Sequence, residues 1–304
     1  MRITTPHTFN YPDFLIVGAA KSGTTSIHRY LRQHPGLFLP RIKETWFYHL
    51  VDNPNRAVLR DFPELPTSLP AFLALFEDAS PGQLCGEVTP SYLHYHERTI
   101  RNIKRLHPKW RELRIVMILR EPVAKAISHY QYVRRMGYDP ENLGLYEALL
   151  KEDERKQRMD LTPDLLYVEN TRYLAAVRAY LDTFDRVRIF LYDDLKENPR
   201  GLMDELTAFL GAEPYDYRME RVYNRSFPVR RPVNAVARLV LERMDRFGKV
   251  LPSRLPRLTR RLLTVEERPD PRALRWLREA FREEVEQLGP LIGRDLSGWL
   301  AEYD

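Results

Sequence analysis

The stretch F-L-I-V-G-A-A-K-S-G-T-T-S-I-H-R-Y-L, Phe14 to Leu31, runs from an apolar segment through a glycine-bounded loop into a helical pattern. An apolar run of that length beside turn signals reads as a buried strand. Gly18 and Gly23 have the spacing of the two glycines in a phosphate-binding loop, where a lysine follows the second glycine. Here Thr24 follows it, and the one lysine of the loop is Lys21. The first helical turn still offers unpaired N–H groups and the positive end of a helix dipole, which suits an anion. Ser22, Thr24, Thr25 and Ser26 add hydroxyl donors, and Lys21 adds a charge. The same residues also describe a plain βα turn with Ser and Thr caps.

Outward from this stretch, β-branched runs alternate with helical patterns. Asp13–Gly18, Arg114–Leu119 and Arg186–Tyr192 read as buried strands, and Leu84–Val88 as a shorter fourth. Helices are expected from Thr24 to Gln33, from Pro122 onward, and from Pro199 to Leu210, where Gly211 closes the last turn. This rhythm predicts an α/β, P-loop-like three-layer fold with a central, mainly parallel sheet flanked by helices. Binding residues should then collect where strands end and helices begin. Asp52–Pro70 reads as an irregular excursion, and Arg272–Leu288 as a final helix before the tail G-R-D-L-S-G-W-L. Residues 1–304 are read as one domain, with 212–271 a basic loop and helical excursion within it. Inside that excursion Val233, Val236, Val240, Met244 and Phe247 recur at helical spacing.

With 43% hydrophobic and 30% charged residues, the chain has the composition of a soluble globular protein. No apolar run approaches the roughly 18 residues of a membrane span. The N-terminus carries no apolar signal segment, so a cytoplasmic protein is expected. A single cysteine, Cys85, excludes an internal disulfide. The net charge is +6, with the basic excess concentrated between Arg225 and Arg261. Such a patch suits nucleic acid, an anionic membrane or an anionic ligand, or is simply a solvated helix face. No nucleic-acid-binding motif accompanies it, so no nucleic acid is expected as a partner.

A second anion station emerges from R-I-V-M-I-L-R-E-P-V-A-K-A-I-S, Arg114 to Ser128. Arg120 closes a buried strand and Ser128 lies two turns into the next helix. If that strand neighbours the first, a guanidinium and a hydroxyl face the same crevice as the loop and can hold a second phosphate. Taken singly, Arg120 also fits an ion pair with Glu121, and Ser128 fits a packing role. The strand ends in Arg120 where a nucleotide hydrolase has an acid, and Lys is missing after Gly23. The loop therefore reads as built for a phosphate handled without a metal. His94 and His96 lack an evident third ligand, so no metal site is expected.

Together these residues resemble the sulfotransferases that use 3′-phosphoadenosine-5′-phosphosulfate (PAPS). A-A-K-S-G-T-T-S matches the family's loop for the 5′-phosphosulfate, and L-R-E-P-V-A-K-A-I-S its element for the 3′-phosphate. The heparan-sulfate and bacterial branch is closest in pattern. Its traits appear as P-D-F-L-I-V-G-A-A-K-S-G-T-T, H-P-G-L-F-L-P-R-I-K-E-T-W-F-Y, G-E-V-T-P-S-Y-L and G-R-D-L-S-G-W. The resemblance implies PAPS as donor, its product PAP, no metal, and a small-molecule, carbohydrate or lipid acceptor bearing a hydroxyl or amine. It implies that Lys21 and Ser22 to Ser26 hold the 5′-phosphate, with Lys21 stabilising charge on the leaving group. Arg120 and Ser128 would hold the 3′-phosphate, and Tyr223, Arg225, Arg230 and Arg231 would form a late basic loop over the donor. Glu44 takes the place of the family's catalytic base, although by spacing alone it is half of an ion pair with Lys43 or Arg41. Trp46, His49, Glu87 and Tyr92 are implied on the acceptor side. Many animal relatives have a lysine where Val88 stands, which argues against heparan-like acceptors. The competing readings are a P-loop nucleoside or sugar kinase, and a basic module that binds a membrane surface or an acidic partner.

Overall fold

Along Phe14–Gly18 (β1) consecutive side chains enter different cores. Leu15 and Val17 join one apolar cluster, while Phe14 and Ile16 join the other. That alternation is the period of a strand, and apolar residues at every position mean a strand covered on both faces. The computed structural model describes residues 10–52, 59, 62–136, 141–157, 165–219, 269–299 and 301.

In chain order β1 is followed by Thr24–Leu31 (α1), Leu37–Phe38 (β2), Phe47–Leu50 (α2) and Leu69–Ala74 (α3). Next come Leu84–Val88 (β3), Ser91–His94 (α4), His96–Leu106 (α5), Arg114–Leu119 (β4) and Pro122–Met136 (α6). Leu145–Leu150 (α7), Glu152–Lys156 (α8), Leu174–Thr183 (α9) and Arg186–Leu191 (β5) follow. Tyr192–Glu197 (α10), Pro199–Leu210 (α11) and Pro271–Ile292 (α12) complete the described elements.

The five strands form one sheet in the order β2-β3-β1-β4-β5, and every recorded pairing is parallel. The expectation of a mainly parallel sheet with helices on both faces is met. β1 leads through α1 to the β2 edge, whereas β4 leads through α6 towards β5 on the other side. The connections diverge between β1 and β4, and a ligand crevice opens at the carboxyl ends of strands at such a point. Strand neighbourhood, the condition for a two-station site, is fulfilled: Phe14 to Ile16 pair with Arg114 to Val116.

The last helix extends four residues beyond the expected Leu288 and contains Pro290. Gly289–Pro290 looks like a break in sequence, yet Leu288 is buried and Gly293, at φ 65°, closes the helix. The irregular stretch expected up to Pro70 is shortened by α3, whose Ser68 side chain accepts from the Ala71 N–H at 3.4 Å.

α12 is fastened by a charge. The buried Glu284 carboxylate accepts from the backbone N–H of Tyr173, from that of Leu174 at 3.2 Å and from Arg172 Nη1 at 3.2 Å. It thereby satisfies orphan donors at the start of α9. Glu284→Ala leaves those donors unpaired and is expected to cost about 3 kcal/mol. Urea denaturation checks this: the midpoint should drop at unchanged slope, and Glu284→Gln should recover part of the loss.

Candidate active site

The loop between β1 and α1 is shaped by backbone conformation. Gly23 is the N-cap of α1 at φ 88°, with no side chain capping the helix and no acid in its first turn. A Cβ at Gly23 would come within 2.6 Å of Leu195 and 3.2 Å of Tyr192. Glycine is therefore required by both conformation and space. Ser22, Thr24 and Ser26 are buried in the loop and first turn, and Thr25 is half-buried. Lys21 holds the left-handed region at φ 65°, and its ammonium lies 4.1 Å from the centre of the Tyr132 ring.

Arg120 reaches across from the end of β4. Its Nη1 donates to the Lys21 carbonyl at 3.0 Å, and the guanidinium lies 4.9 Å from the centre of the Tyr192 ring. The ion pair with Glu121 that the sequence offered is absent. The Glu121 carboxylate instead accepts from the N–H groups of Val123 and Ala124, at 2.6 Å each, and caps α6. Among the described residues no carboxylate pairs with Arg120. On the inner face of α6, Ser128 is buried one turn beyond Lys125. Lys125 was not singled out from the sequence, although it lies within R-E-P-V-A-K-A-I-S. It is 1% exposed and donates to the Asn170 carbonyl and to Thr171 Oγ1 at 3.2 Å. Burial lowers its pKa to about 7, helped by Arg120 and Lys21 and opposed by Glu284.

The Glu44 segment faces the end of β3. Glu44 and Trp46 are both left-handed, at φ 65° and 55°, and Thr45 between them is buried. The Glu44 N–H donates to the Val88 carbonyl at 3.1 Å. Its side chain is 39% exposed and pairs with the Lys43 ammonium, so the local ion pair anticipated from spacing is present. Trp46 lies between Phe62 and His49, with ring centres at 5.4 and 6.4 Å. His49 stacks on Tyr95 at 4.6 Å, and burial drops its pKa to about 3, with Arg98 and His94 adding to the shift. It is neutral throughout the physiological range.

Glu87 and Tyr92, expected at the crevice, turn their polar atoms on each other. Glu87 is 1% exposed and accepts from Thr45 Oγ1, from Thr89 Oγ1 at 2.8 Å and from the Tyr92 hydroxyl at 2.9 Å. The Tyr92 hydroxyl in turn accepts from the Tyr48 N–H at 3.2 Å. Thr45 and Thr89 escaped the sequence reading. Their only signal is a threonine one or two places after an acid, in K-E-T-W and E-V-T-P. Tyr223, Arg225, Arg230 and Arg231, and the helix expected at Val233–Leu251, lie outside the described residues.

A P-loop-like α/β sheet thus carries a glycine-bounded loop after β1 and, beyond the end of β4, a guanidinium with no carboxylate partner among the described residues. The match to the model of the sulfotransferase family spans residues 12–217, and the chain belongs to that family. It is 30% identical over 222 residues to the mouse (Mus musculus) bifunctional heparan sulfate N-deacetylase/N-sulfotransferase 4, an alignment covering 68% of this chain and 23% of that protein. A membrane-associated sulfotransferase, kil1, of Dictyostelium discoideum is 28% identical over 122 residues, covering 40% of this chain and 23% of the relative. The chain thus spans about a quarter of the length of these curated relatives. A solved sulfotransferase from Alicyclobacillus acidocaldarius superposes with TM-score 0.72 at 27% identity, covering 95% of this chain and 99% of the other. Among the described residues no helix is long and apolar enough to cross a membrane.

Burial raises the Glu87 pKa from 4.5 to about 7, against the pull of its hydrogen bonds from Thr45, Thr89 and Tyr92. Between those values the folded state holds a proton that the unfolded chain has released, so this group's stability contribution is lost as pH rises through the window. Glu87→Gln is expected to flatten the decline. Denaturation of both proteins from pH 5 to about 7.5 checks it, and parallel curves would reject the shift.

Proposed function

We propose that the protein transfers a sulfuryl group from PAPS to a hydroxyl or amine of an acceptor and releases PAP. The observation that carries this reading is the Arg120 guanidinium, bonded to the donor loop at the β1/β4 divergence and lacking a carboxylate partner among the described residues. An anion is the natural complement of such a group. Gly23 at φ 88° and an acid-free first turn of α1 support a second anion at the loop. PAPS carries one phosphate on the ribose and a phosphosulfate at the other end, matching two stations.

In this reading Lys21 and the first-turn N–H groups hold the 5′-phosphate, and Lys21 stabilises its growing charge. Arg120 and Ser128 hold the 3′-phosphate, and Tyr223, Arg225, Arg230 and Arg231 are further donor-binding residues. The acceptor oxygen or nitrogen attacks sulfur in line as the bond from sulfur to the phosphate oxygen breaks. Glu44 takes the acceptor proton as the new bond forms, since a carboxylate is too weak a base to remove it beforehand. Positioning and electrostatics supply the rate, without a metal. Trp46 and His49 flank the acceptor. Relatives named for heparan sulfate make a carbohydrate one candidate, alongside a small molecule or lipid. Val88 in E-V-T-P-S-Y disfavours a polyanionic sugar. The cytoplasm is the proposed location. A kinase is disfavoured because Thr24 stands where its phosphate lysine belongs.

Calorimetry with PAP and ADP is the decisive measurement. PAP should bind without magnesium and more tightly than ADP, with Arg120→Ala losing at least roughly tenfold and Lys21→Ala less. Equal affinity for the two nucleotides removes the 3′-phosphate station. An acceptor screen with p-nitrophenol and a glucosaminyl oligosaccharide then tests the base: Glu44→Gln should keep PAP affinity and lose turnover, and unchanged turnover removes Glu44 from the role.

A further inference from the structure

We propose that Glu87 is a positioning residue that acts through Thr45 to hold the Glu44 turn against the end of β3. The inference rests on the reading of Glu44 as the base and goes beyond it, since Glu87 itself touches no reacting atom.

A carboxylate at 1% exposure is costly unless it is fully hydrogen-bonded or paired with a cation. Among the described residues Glu87 has no ion pair. Its partners are three hydroxyls, those of Thr45, Thr89 and Tyr92. Each has a single proton and lies within hydrogen-bond reach of this carboxyl group. The acceptor capacity of two hydroxyls is used as well: Thr45 Oγ1 receives the Phe47 N–H at 3.3 Å and the Tyr92 hydroxyl receives the Tyr48 N–H at 3.2 Å. The network thus grips Thr45 and the first two residues of α2 together. Core packing alone requires none of this, because an apolar side chain would fill the same space without the desolvation cost.

The grip falls where the backbone needs it. Glu44 and Trp46, at φ 65° and 55°, occupy a region that costs a non-glycine residue about 1 kcal/mol or more. Two tethers hold Thr45 and its neighbours on β3: the Thr45–Glu87 bond and the Glu44 N–H to the Val88 carbonyl at 3.1 Å. Glu87 pairs in register with Leu15 and Val88 with Ile16, and β1 continues from there into the donor loop. The position of the Glu44 carboxylate relative to that loop is therefore set by sheet register plus one buried carboxylate.

The test is a double-mutant cycle on PAP release from PAPS. The acceptor is whichever compound the screen returns, and otherwise water, whose oxygen attacks sulfur while PAP leaves and the proton passes to Glu44. Thr45→Val keeps the shape and removes the hydroxyl. It should lower turnover at least ~tenfold with PAP affinity within about twofold, and Thr45→Ser should restore it. Glu87→Gln should fall between the wild type and Thr45→Val. In a Glu44→Gln background, Thr45→Val should cost nothing further, because both act on one group. Wild-type turnover in Thr45→Val, or an equal loss in both backgrounds, overturns the positioning role. Wild-type turnover in Glu44→Gln instead sinks the reading of Glu44 as base, and the two failures are distinct.

Discussion

The hydrogen bond from Arg120 to the Lys21 carbonyl ties the two halves of the site together. It spans the divergence between β1 and β4 and joins the last residue of one strand's run to the loop of the other. Lys21 offers that carbonyl because it sits at φ 65°, where a non-glycine residue needs outside support. The Tyr192 ring beneath the guanidinium adds a cation–π contact. Arg120, Lys21 and Lys125 are close enough that the first two depress the Lys125 pKa. Cations gathered around one strand end repel each other, and an arriving anion relieves that repulsion. Glu121, which by sequence could have neutralised Arg120, caps α6 instead.

Segments far along the chain bear on the same contact. The Tyr173 hydroxyl donates to the Arg120 carbonyl at 3.0 Å, and Tyr173 is itself held by Glu284 on α12. α10 supplies both Tyr192, beneath Arg120, and Leu195, against Gly23. The tail holds α10: Arg294 makes a two-pronged pair with Asp194, at 2.8 and 3.1 Å, and Trp299 Nε1 donates to Asp193 at 3.2 Å. The motif G-R-D-L-S-G-W thus supports, through α10, the loop that follows β1. Half-exposed pairs of this kind add little stability singly, and their value here is geometric.

The sheet was legible where a strand is long enough to show the pattern that burial imposes. Arg114–Leu119 and Leu84–Val88 are observed with the expected bounds, and Pro122 and Gly211 punctuate their helices as their φ restrictions dictate. The two-residue β2 was invisible, since Leu37–Phe38 has no periodicity to read. Anion-holding types, Lys21 and Arg120, stood out because charge beside a strand end is chemically conspicuous. Thr89, whose one signal was its place two residues after Glu87, did not, and neither did Thr45 and Lys125, because their meaning lies in partners distant in sequence: Thr45 meets Glu87, and Lys125 meets Thr171. Spacing along a chain carries no trace of such contacts.

The two halves of the candidate site are built differently. Lys21 and Arg120 lie beyond the ends of the central strands β1 and β4, which are buried, whereas the edge strand β5, expected to be buried, exposes Arg186 and Arg188. The side chains after Glu44 form a row of rings instead: Trp46 lies near His49, His49 stacks on Tyr95, and Tyr95 meets His94 at 4.5 Å. Burial holds both histidines neutral, at pKa values of about 3 and 4, with positive neighbours reinforcing the shift. At neutral pH His49 and His94 in that row carry no imidazolium charge. This row of neutral rings contrasts in charge with the Lys21 and Arg120 side chains that lie beyond the ends of β1 and β4.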